Sequence, residues 1–106
     1  MKAWNLVDVA SPTSLAGGTK TVPSSATPQP LVAIPTPCRL VWIGARLDNY
    51  GNPQNYYPVF VGDAAVQNLP IMPANFEGLV IRIDDASKLY VRVVNSGEGV
   101  FYRIFA

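Results

Sequence analysis

The feature that most constrains the fold of this chain is a set of short apolar runs in which side chains alternate with a period of two. In the first run, Val41, Ile43 and Ala45 alternate with a second set of residues. A period of two is that of a β-strand, and no segment sustains the 3.6-residue period of a helix. Enrichment in Val, Ile, Tyr and Phe supports the same interpretation. We therefore predict strands at residues 38–46, 57–61, 78–84, 89–94 and 100–105.

Turn-forming residues separate the predicted strands. Residues 48–53 break the first pair, residues 84–88 predict a tight connection, and residues 95–99 predict a hairpin loop with two glycines. In the longer apolar link at 62–77 we expect at most one short turn, near residues 64–68. Short strands at regular spacing predict an all-β domain, a small antiparallel β-sandwich or barrel of jelly-roll-like type.

The residues before position 38 have a different composition. From 10 to 37, 17 of 28 residues are Pro, Ser, Thr or Gly, and Lys20 carries the only charge. Because proline lacks a backbone donor and paired glycines resist ordering, we expect no packed core element there. A mobile tail and an extended arm ordered by a partner both fit this composition. The predicted organisation is an extended N-terminal arm at 1–37 and a β-sandwich domain at 38–106.

One segment of the arm keeps a β-like pattern. Residues 3–9 alternate loosely, with Trp4, Leu6 and Asp8 on one side and Val7 and Val9 on the other. This alternation predicts a short edge strand. Aromatic anchors dominate protein interfaces, so Trp4 is better suited to fill a pocket than to face water.

The second side of the predicted strands has the composition of an interface. It combines aromatic side chains with arginine and has almost no lysine or glutamate, which is typical of subunit contacts. A second sheet or the arm of the same chain would also cover it, and that alternative stays open. We expect Arg82, Arg92 and Arg103 to lie near one another and to attract carboxylates. Together with anchors in the arm, the predicted interface residues are Trp4, Leu31, Val32, Trp42, Tyr90, Arg92, Phe101, Arg103 and Phe105.

Charge and residue counts argue against most kinds of catalysis. Charged residues make up 14% of the chain, against about 25% in ordinary soluble domains. A net charge of +1 provides no field that would attract nucleic acid or an anionic membrane. With no histidine and one cysteine, Cys38, the chain lacks histidine-based acid–base pairs and the usual zinc ligand sets. We therefore expect no enzyme, no cofactor and no metal site.

The N-terminal residues do not have the pattern of a targeting signal. Asn5 and Asp8 interrupt the apolar run that a signal peptide would need. No run approaches the roughly 20 apolar residues of a membrane-spanning helix. We therefore expect a chain that is made in a cytoplasm, is not processed and has no membrane partner.

One loop has the composition of a ligand-binding site. Residues 48–57 combine asparagines with three tyrosines, a mixture that makes adaptable polar contacts and flat stacking surfaces, as in paratopes and sugar sites. The alternative is a polar hairpin loop whose tyrosines pack on the edge of the sandwich. The possible ligand residues are Asn49, Tyr50, Asn52, Tyr56 and Tyr57.

The C-terminal two-thirds of the chain resembles a known class of proteins. Its motifs are PCRLVWIGA at 37–45, VFVGD at 59–63, LPIMP at 69–73 and LVIRIDDASKLYV at 79–91. In this order they resemble small all-β virion proteins of tailed bacteriophages, a class that includes head decoration (cement) proteins. The resemblance implies a structural protein that binds the assembled phage head and stabilises it by bridging capsid subunits.

The same resemblance implies partners and a location. The partners would be the major capsid protein and further copies of this chain, as in a homotrimer, and the location would be the phage head after synthesis in the host cytoplasm. It brings no catalytic residue. The alternative function is a receptor- or glycan-binding module of a phage tail or head fibre, with residues 48–57 as its site.

Overall fold

The computed structural model describes residues 15–47, 50, 52–73 and 77–106 as two antiparallel sheets of four strands each. A short 3-10 helix, Ala86–Lys88, precedes the seventh strand. The prediction of a small all-β sandwich is confirmed. In chain order the strands are β1 (Leu15–Thr21), β2 (Gln29–Pro30), β3 (Leu40–Ala45), β4 (Val59–Gly62), β5 (Gln67–Ile71), β6 (Leu79–Arg82), β7 (Tyr90–Val93) and β8 (Gly99–Phe105).

The strand order is that of a jelly roll. Sheet I has the order β1-β8-β3-β6, and sheet II has the order β2-β7-β4-β5. The antiparallel pairs β1·β8, β2·β7, β3·β6 and β4·β5 describe one long hairpin whose tip lies between β4 and β5. Rolling up this hairpin adds the pairs β3·β8 and β4·β7 and sends successive pairs to opposite sheets. Eight strands in two sheets connected in this way form a jelly roll.

The aliphatic set of the alternating strands forms the core between the two sheets. Val41 and Ile43 of β3 are fully buried, as are Val59 and Val61 of β4. Burying an aliphatic side chain of this size contributes about 1.5–3 kcal/mol, so these alternating positions supply most of the driving force for folding. The complete set of buried apolar residues is Val22, Leu31, Val41, Ile43, Ala45, Val59, Val61, Ile71, Ala86, Leu89, Val91, Val93, Val100 and Ile104.

Residues 15–37 are part of the sandwich, so the expectation that they hold no packed core element is wrong. All seven residues of β1 pair with β8, from Leu15 opposite Phe105 to Thr21 opposite Gly99. Leu31, predicted as an interface residue, is instead buried in the core. Backbone hydrogen bonds hold an edge strand such as β1 in its sheet. Because these bonds do not depend on side chains, amino-acid composition does not predict them.

Two predictions about connections are also wrong. The link at 62–77, where we predicted no strand, contains β5, which pairs with β4 and turns Gln67 and Ile71 inwards. Residues 95–99 do not form a hairpin loop, because β7 lies in sheet II and β8 lies in sheet I. They carry the chain from one sheet to the other, with Gly97 at a φ of +93°. The second error arises because β7 and β8 pair with other strands of their own sheets and not with each other.

Asp85 joins the turn between β6 and β7 to the segment before β3. Its Oδ1 accepts hydrogen bonds from the Thr36 N–H (2.9 Å), the Ser87 N–H (2.9 Å) and the Ser87 hydroxyl (2.7 Å). These bonds to the charged carboxylate, above all the one from Thr36, hold the pKa of Asp85 below its ordinary value. The adjacent Asp84 is exposed and pairs with Lys88 at 3.0 Å. The predicted tight connection at 84–88 is confirmed.

We expect Asp85→Asn to destabilise the fold at neutral pH more than Asp84→Asn does. The folded-state pKa of Asp85 lies below its unfolded value of about 3.9, so its contribution is complete above that value and is lost as pH falls through the folded-state pKa. Asp85→Asn should therefore lose less stability than the parent chain on acidification. Urea unfolding midpoints measured from neutral pH to about pH 3 test this. Parallel acid profiles for the parent chain and Asp85→Asn would contradict it.

Candidate functional site

The outward side chains of sheet I form an apolar surface that carries two arginines. In the register of the sheet, Trp42 lies between Arg103 of β8 and Val80 of β6. The apolar members are half-buried, whereas Arg82 and Arg103 are exposed. We call this surface outer face I, and its members are Leu40, Trp42, Val80, Arg82, Phe101, Arg103 and Phe105.

The indole of Trp42 lies flat on outer face I because two glycines leave room for it. A Cβ atom at Gly44 would come within 2.8 Å of the Trp42 ring, and one at Gly78 would come within 2.8 Å of Nε1. Nε1 donates a hydrogen bond to the Glu77 carbonyl at 2.8 Å. Gly78 has a φ of +70°, a conformation that favours glycine. The ring is thus oriented before any partner binds, which reduces the entropy lost on binding.

Arg103 extends from β8 across the edge strand β1. A Cβ atom at Gly17, which lies opposite it, would come within 2.6 Å of Arg103 Cδ. Its Nη1 donates a hydrogen bond to the Tyr102 carbonyl at 2.8 Å. The aliphatic stem therefore lies on the sheet while the guanidinium remains at the surface. A guanidinium with five N–H donors suits contacts with carboxylates and carbonyls of another protein.

Tyr90 and Arg92 lie on the opposite side of the molecule, on the outward face of sheet II. Arg92 Cζ is 4.4 Å from the centroid of the Phe60 ring, and Arg92 Nη2 donates to the Gln67 carbonyl at 2.8 Å. Arg92 is therefore separated from the arginines of outer face I, and the prediction that all three lie near one another is wrong. Arg92 and Arg103 donate hydrogen bonds to carbonyl groups, and within the described part of the chain neither donates to one of the expected carboxylates.

Two further predicted interface residues, Leu31 and Val32, do not join outer face I. Leu31 is in the core, and Val32 is half-buried against that core. Trp4 lies outside the described residues. The predicted interface residues that the structure does bring together are Trp42, Phe101, Arg103 and Phe105.

Three tyrosines lie at the surface between β3 and β4. The exposed fraction is 89% for Tyr50, 85% for Tyr56 and 51% for Tyr57. The alternative in which these rings pack on the edge of the sandwich is therefore wrong for Tyr50 and Tyr56. Asn52 is also exposed, whereas Asn49 lies outside the described residues. We call Tyr50 and residues 52–57 the tyrosine loop.

A buried amide and a buried carboxylate fasten the tyrosine loop to the sandwich. Asn55 donates from Nδ2 to the Gly99 carbonyl at 2.8 Å and accepts at Oδ1 from the Gly99 N–H at 3.1 Å. Glu98 accepts from the Tyr56 N–H at 2.7 Å and from the Tyr57 N–H at 3.3 Å. The loop backbone is therefore held while the rings of Tyr56 and Tyr57 point to solvent.

Asn55 and Glu98 are positions that the sequence does not distinguish from their neighbours. Each is one polar residue in a polar stretch, and polar residues in such stretches are expected to face water. The only signal is a charged residue between two glycines, Gly97 and Gly99, where the chain can turn its side chain inwards. Burial of Glu98 follows from the N–H groups of another loop, which the sequence places more than forty residues away.

Cys38 has the environment of a structural thiol. Its Sγ donates a hydrogen bond to the Ile83 carbonyl at 3.2 Å. Burial raises the pKa of the thiol, and the charges of Asp85 and Asp84 raise it further. Because the thiolate is the nucleophile, this environment disfavours reactivity.

Within the described part of the chain, no three His, Cys, Asp or Glu side chains are grouped so that they could hold a metal ion. The same residues include no helix with the length and hydrophobicity needed to cross a membrane.

We expect Glu98→Gln to loosen the tyrosine loop. Its Oε2 accepts from both the Tyr56 N–H and the Asn95 side-chain amide, and a glutamine places an N–H₂ group against one set of these donors. Leaving buried donors unsatisfied costs about 1–3 kcal/mol. The measurements are the free energy of unfolding in urea and hydrogen exchange at the Tyr56 and Tyr57 amides. The control is Glu77→Gln, the same change at an exposed side chain, and equal effects of the two variants would contradict the assignment.

Comparison with known proteins does not identify a function for this chain. The chain matches no protein-family model, no curated protein and no solved structure. The features that bear on function are therefore outer face I and the tyrosine loop.

Proposed function

We propose that this chain is a structural virion protein, a capsid decoration (cement) protein that binds the assembled head of a tailed bacteriophage. The observation that carries the proposal is outer face I, where half-buried aromatic side chains and exposed arginines lie together on a regular sheet. The resemblance of residues 37–102 to small virion proteins of tailed bacteriophages is the reason for proposing a phage head as the binding partner. The proposal includes no catalytic residue, cofactor or metal ion.

Outer face I is suited to contact with a protein. Aromatic residues and arginine dominate the binding energy of protein interfaces, especially where neighbouring side chains exclude water. Trp42 and Arg103 have these properties, since glycines let both side chains lie on the sheet. The low charged fraction of 14% fits the same role, because charged residues are depleted at the centre of interfaces.

Binding to the assembled shell would stabilise it through linkage. A protein that binds the intact shell and not its dissociated subunits shifts the assembly equilibrium towards the shell. The shift increases with the concentration of the bound protein relative to its Kd. A decoration protein that contacts two neighbouring capsid subunits also raises the barrier to their separation, which slows rupture. In this mechanism the rigid sandwich acts as a clamp, and outer face I provides the contact.

We expect Phe101→Ser/Phe105→Ser to abolish binding to capsids. The assay uses shells of the major capsid protein encoded in the same genome, purified without this chain and then mixed with it, with occupancy measured by mass spectrometry and cryo-microscopy. Removing two aromatic anchors from one interface typically costs several kcal/mol, enough to empty the sites. Arg103→Glu, at an exposed position, should also weaken binding to capsids, and it does so without removing apolar packing.

The matched control for this prediction is Phe60→Ser. Phe60 has the same chemistry on the outward face of sheet II, where it contacts Arg92. It should leave occupancy unchanged while circular dichroism shows that every variant is folded. Normal occupancy by both the double variant and Arg103→Glu would refute outer face I as the contact, and failure of the parent chain to bind capsids would refute the function.

A second candidate function is binding of a receptor glycan by a phage tail or head fibre. The observation that favours it is the tyrosine loop, whose rings are exposed although its backbone is fixed by Asn55 and Glu98. Rigid display of aromatic rings next to amides is typical of sites that stack on sugars.

This second function predicts binding on a glycan array that depends on the tyrosine rings. The triple variant Tyr50→Ala/Tyr56→Ala/Tyr57→Ala should lose binding and keep the stability of the parent chain, because Tyr50 and Tyr56 contribute little to the packed core. The control is Tyr90→Ala on the outward face of sheet II. No binding by the parent chain, or equal binding by parent and triple variant, would exclude the tyrosine loop as a glycan site.

A further inference from the structure

Three of the four sheet edges carry features that discourage pairing with another strand. β2 has two residues, one of them Pro30, and β5 contains Pro70, which has no N–H to donate. β1 contains Lys20 and paired glycines. In contrast, β6 has three consecutive aliphatic residues with neither proline nor lysine, and its one charge, Arg82, lies at its end. Among the strands of the described residues, β6 is the edge to which another strand would add most readily.

A cavity opens beside β6, between the edges of the two sheets. Its volume is about 310 Å³. Ile81 of β6 lies opposite the buried Val41, so it faces this interior side. A strand added to β6 would lie about 4.8 Å beyond it, and its inward side chains would enter the cavity. The aliphatic side chains that line the cavity are Val61, Leu69, Ile81, Ile83 and Leu89.

We propose that residues 3–9 of a second copy of this chain add as a strand to β6. Strand addition of this kind combines backbone hydrogen bonds with a pocket for alternate side chains. The segment contains neither proline nor glycine; one side carries Trp4, Leu6 and Asp8, and the other carries Val7 and Val9. In the added strand Trp4, Leu6 and Asp8 face the cavity, whose lining includes Lys88 beside its aliphatic side chains. Val7 and Val9 extend outer face I.

The position of β1 favours a second copy over the chain's own segment. The segment leads into Leu15 at the start of β1, and β1 and β6 are the two opposite edges of sheet I. Four strand spacings, about 19 Å, separate β1 from a strand added beyond β6. The six residue steps from Val9 to Leu15 extend about 21 Å at most, so the chain's own segment would reach this position only if residues 10–14 ran fully extended across the aromatic outer face I. Reaching outwards to a neighbour avoids covering aromatic rings with a polar segment.

A contact of this type is heterologous, since the donated segment and the receiving edge are different surfaces. Heterologous contacts close into rings when the rotation between copies permits it. The inference concerns contacts between copies and does not depend on what outer face I binds. It gives the expected homo-oligomer a physical basis, with each copy donating one strand and receiving one.

The test is the oligomeric state of full-length variants, measured by light scattering and native mass spectrometry. We expect the parent chain to form an oligomer. Trp4→Ser/Leu6→Ser, which changes the donated strand, and Leu69→Lys, which puts a charge at the cavity, should weaken self-association at least about tenfold. The matched control is Val66→Lys, because Val66 is exposed near the start of the same strand and does not line the cavity. Circular dichroism establishes that all variants are folded.

A peptide of residues 1–14 distinguishes the two possible donors. It is labelled and added to the full-length Trp4→Ser/Leu6→Ser variant, whose own segment is changed, and to the same variant with Leu69→Lys. Binding to the first and loss of binding to the second, together with an oligomeric parent chain, support the proposal. A monomeric parent chain with a peptide that binds would show docking within one chain and overturn it. Absence of peptide binding, or oligomers unaffected by both variants, would overturn it as well.

Discussion

The pairing of β8 with a strand on each side is the constraint on which sheet I depends. β1 covers seven residues of β8 on one side, and β3 covers six on the other. β1 is the first described strand and β8 is the last, so the roll closes only when distant parts of the chain meet. The chain must lose the entropy of closing this long loop before the hydrogen bonds between β1 and β8 can stabilise the fold. This order of events is typical of slowly folding β-proteins. Gly99 permits the approach, because a Cβ atom there would overlap the Lys20 carbonyl oxygen.

Closure of the roll separates side chains that look equivalent in the sequence. β7 and β8 alternate in the same way, yet their outward residues lie on opposite sides of the molecule because the two strands belong to different sheets. Trp42 and Phe101 consequently share outer face I, whereas Arg92 contacts Phe60 on the other side. A contact surface in a sandwich is a property of one sheet, and sheet membership follows from topology.

Rigidity links the candidate functions to the packing. The tyrosine loop is fixed by Asn55 and Glu98, two polar side chains that the sandwich buries. The Trp42 ring is fixed by two glycines and a hydrogen bond. The Trp42 ring is therefore oriented in advance, whereas in the tyrosine loop the backbone is held and the rings of Tyr50 and Tyr56 remain exposed. The few charges of the chain serve the fold as well, since Asp85 bridges two segments and Glu98 holds a third.

The alternation of aliphatic residues was sufficient to predict the all-β class and five of the strands, and alternating residues such as Val41 and Ile43 are buried in the core. A period of two is a local property, since the side chains of any strand point alternately to its two faces. The sequence could not show that β1 pairs with β8, that Leu31 is in the core, or that Glu98 turns inwards to the N–H groups of Tyr56 and Tyr57. Those outcomes depend on which backbone groups meet across the rolled sheets. Only the tertiary structure decides them, because the partners lie far apart in the chain and backbone hydrogen bonding is the same for every residue type except proline.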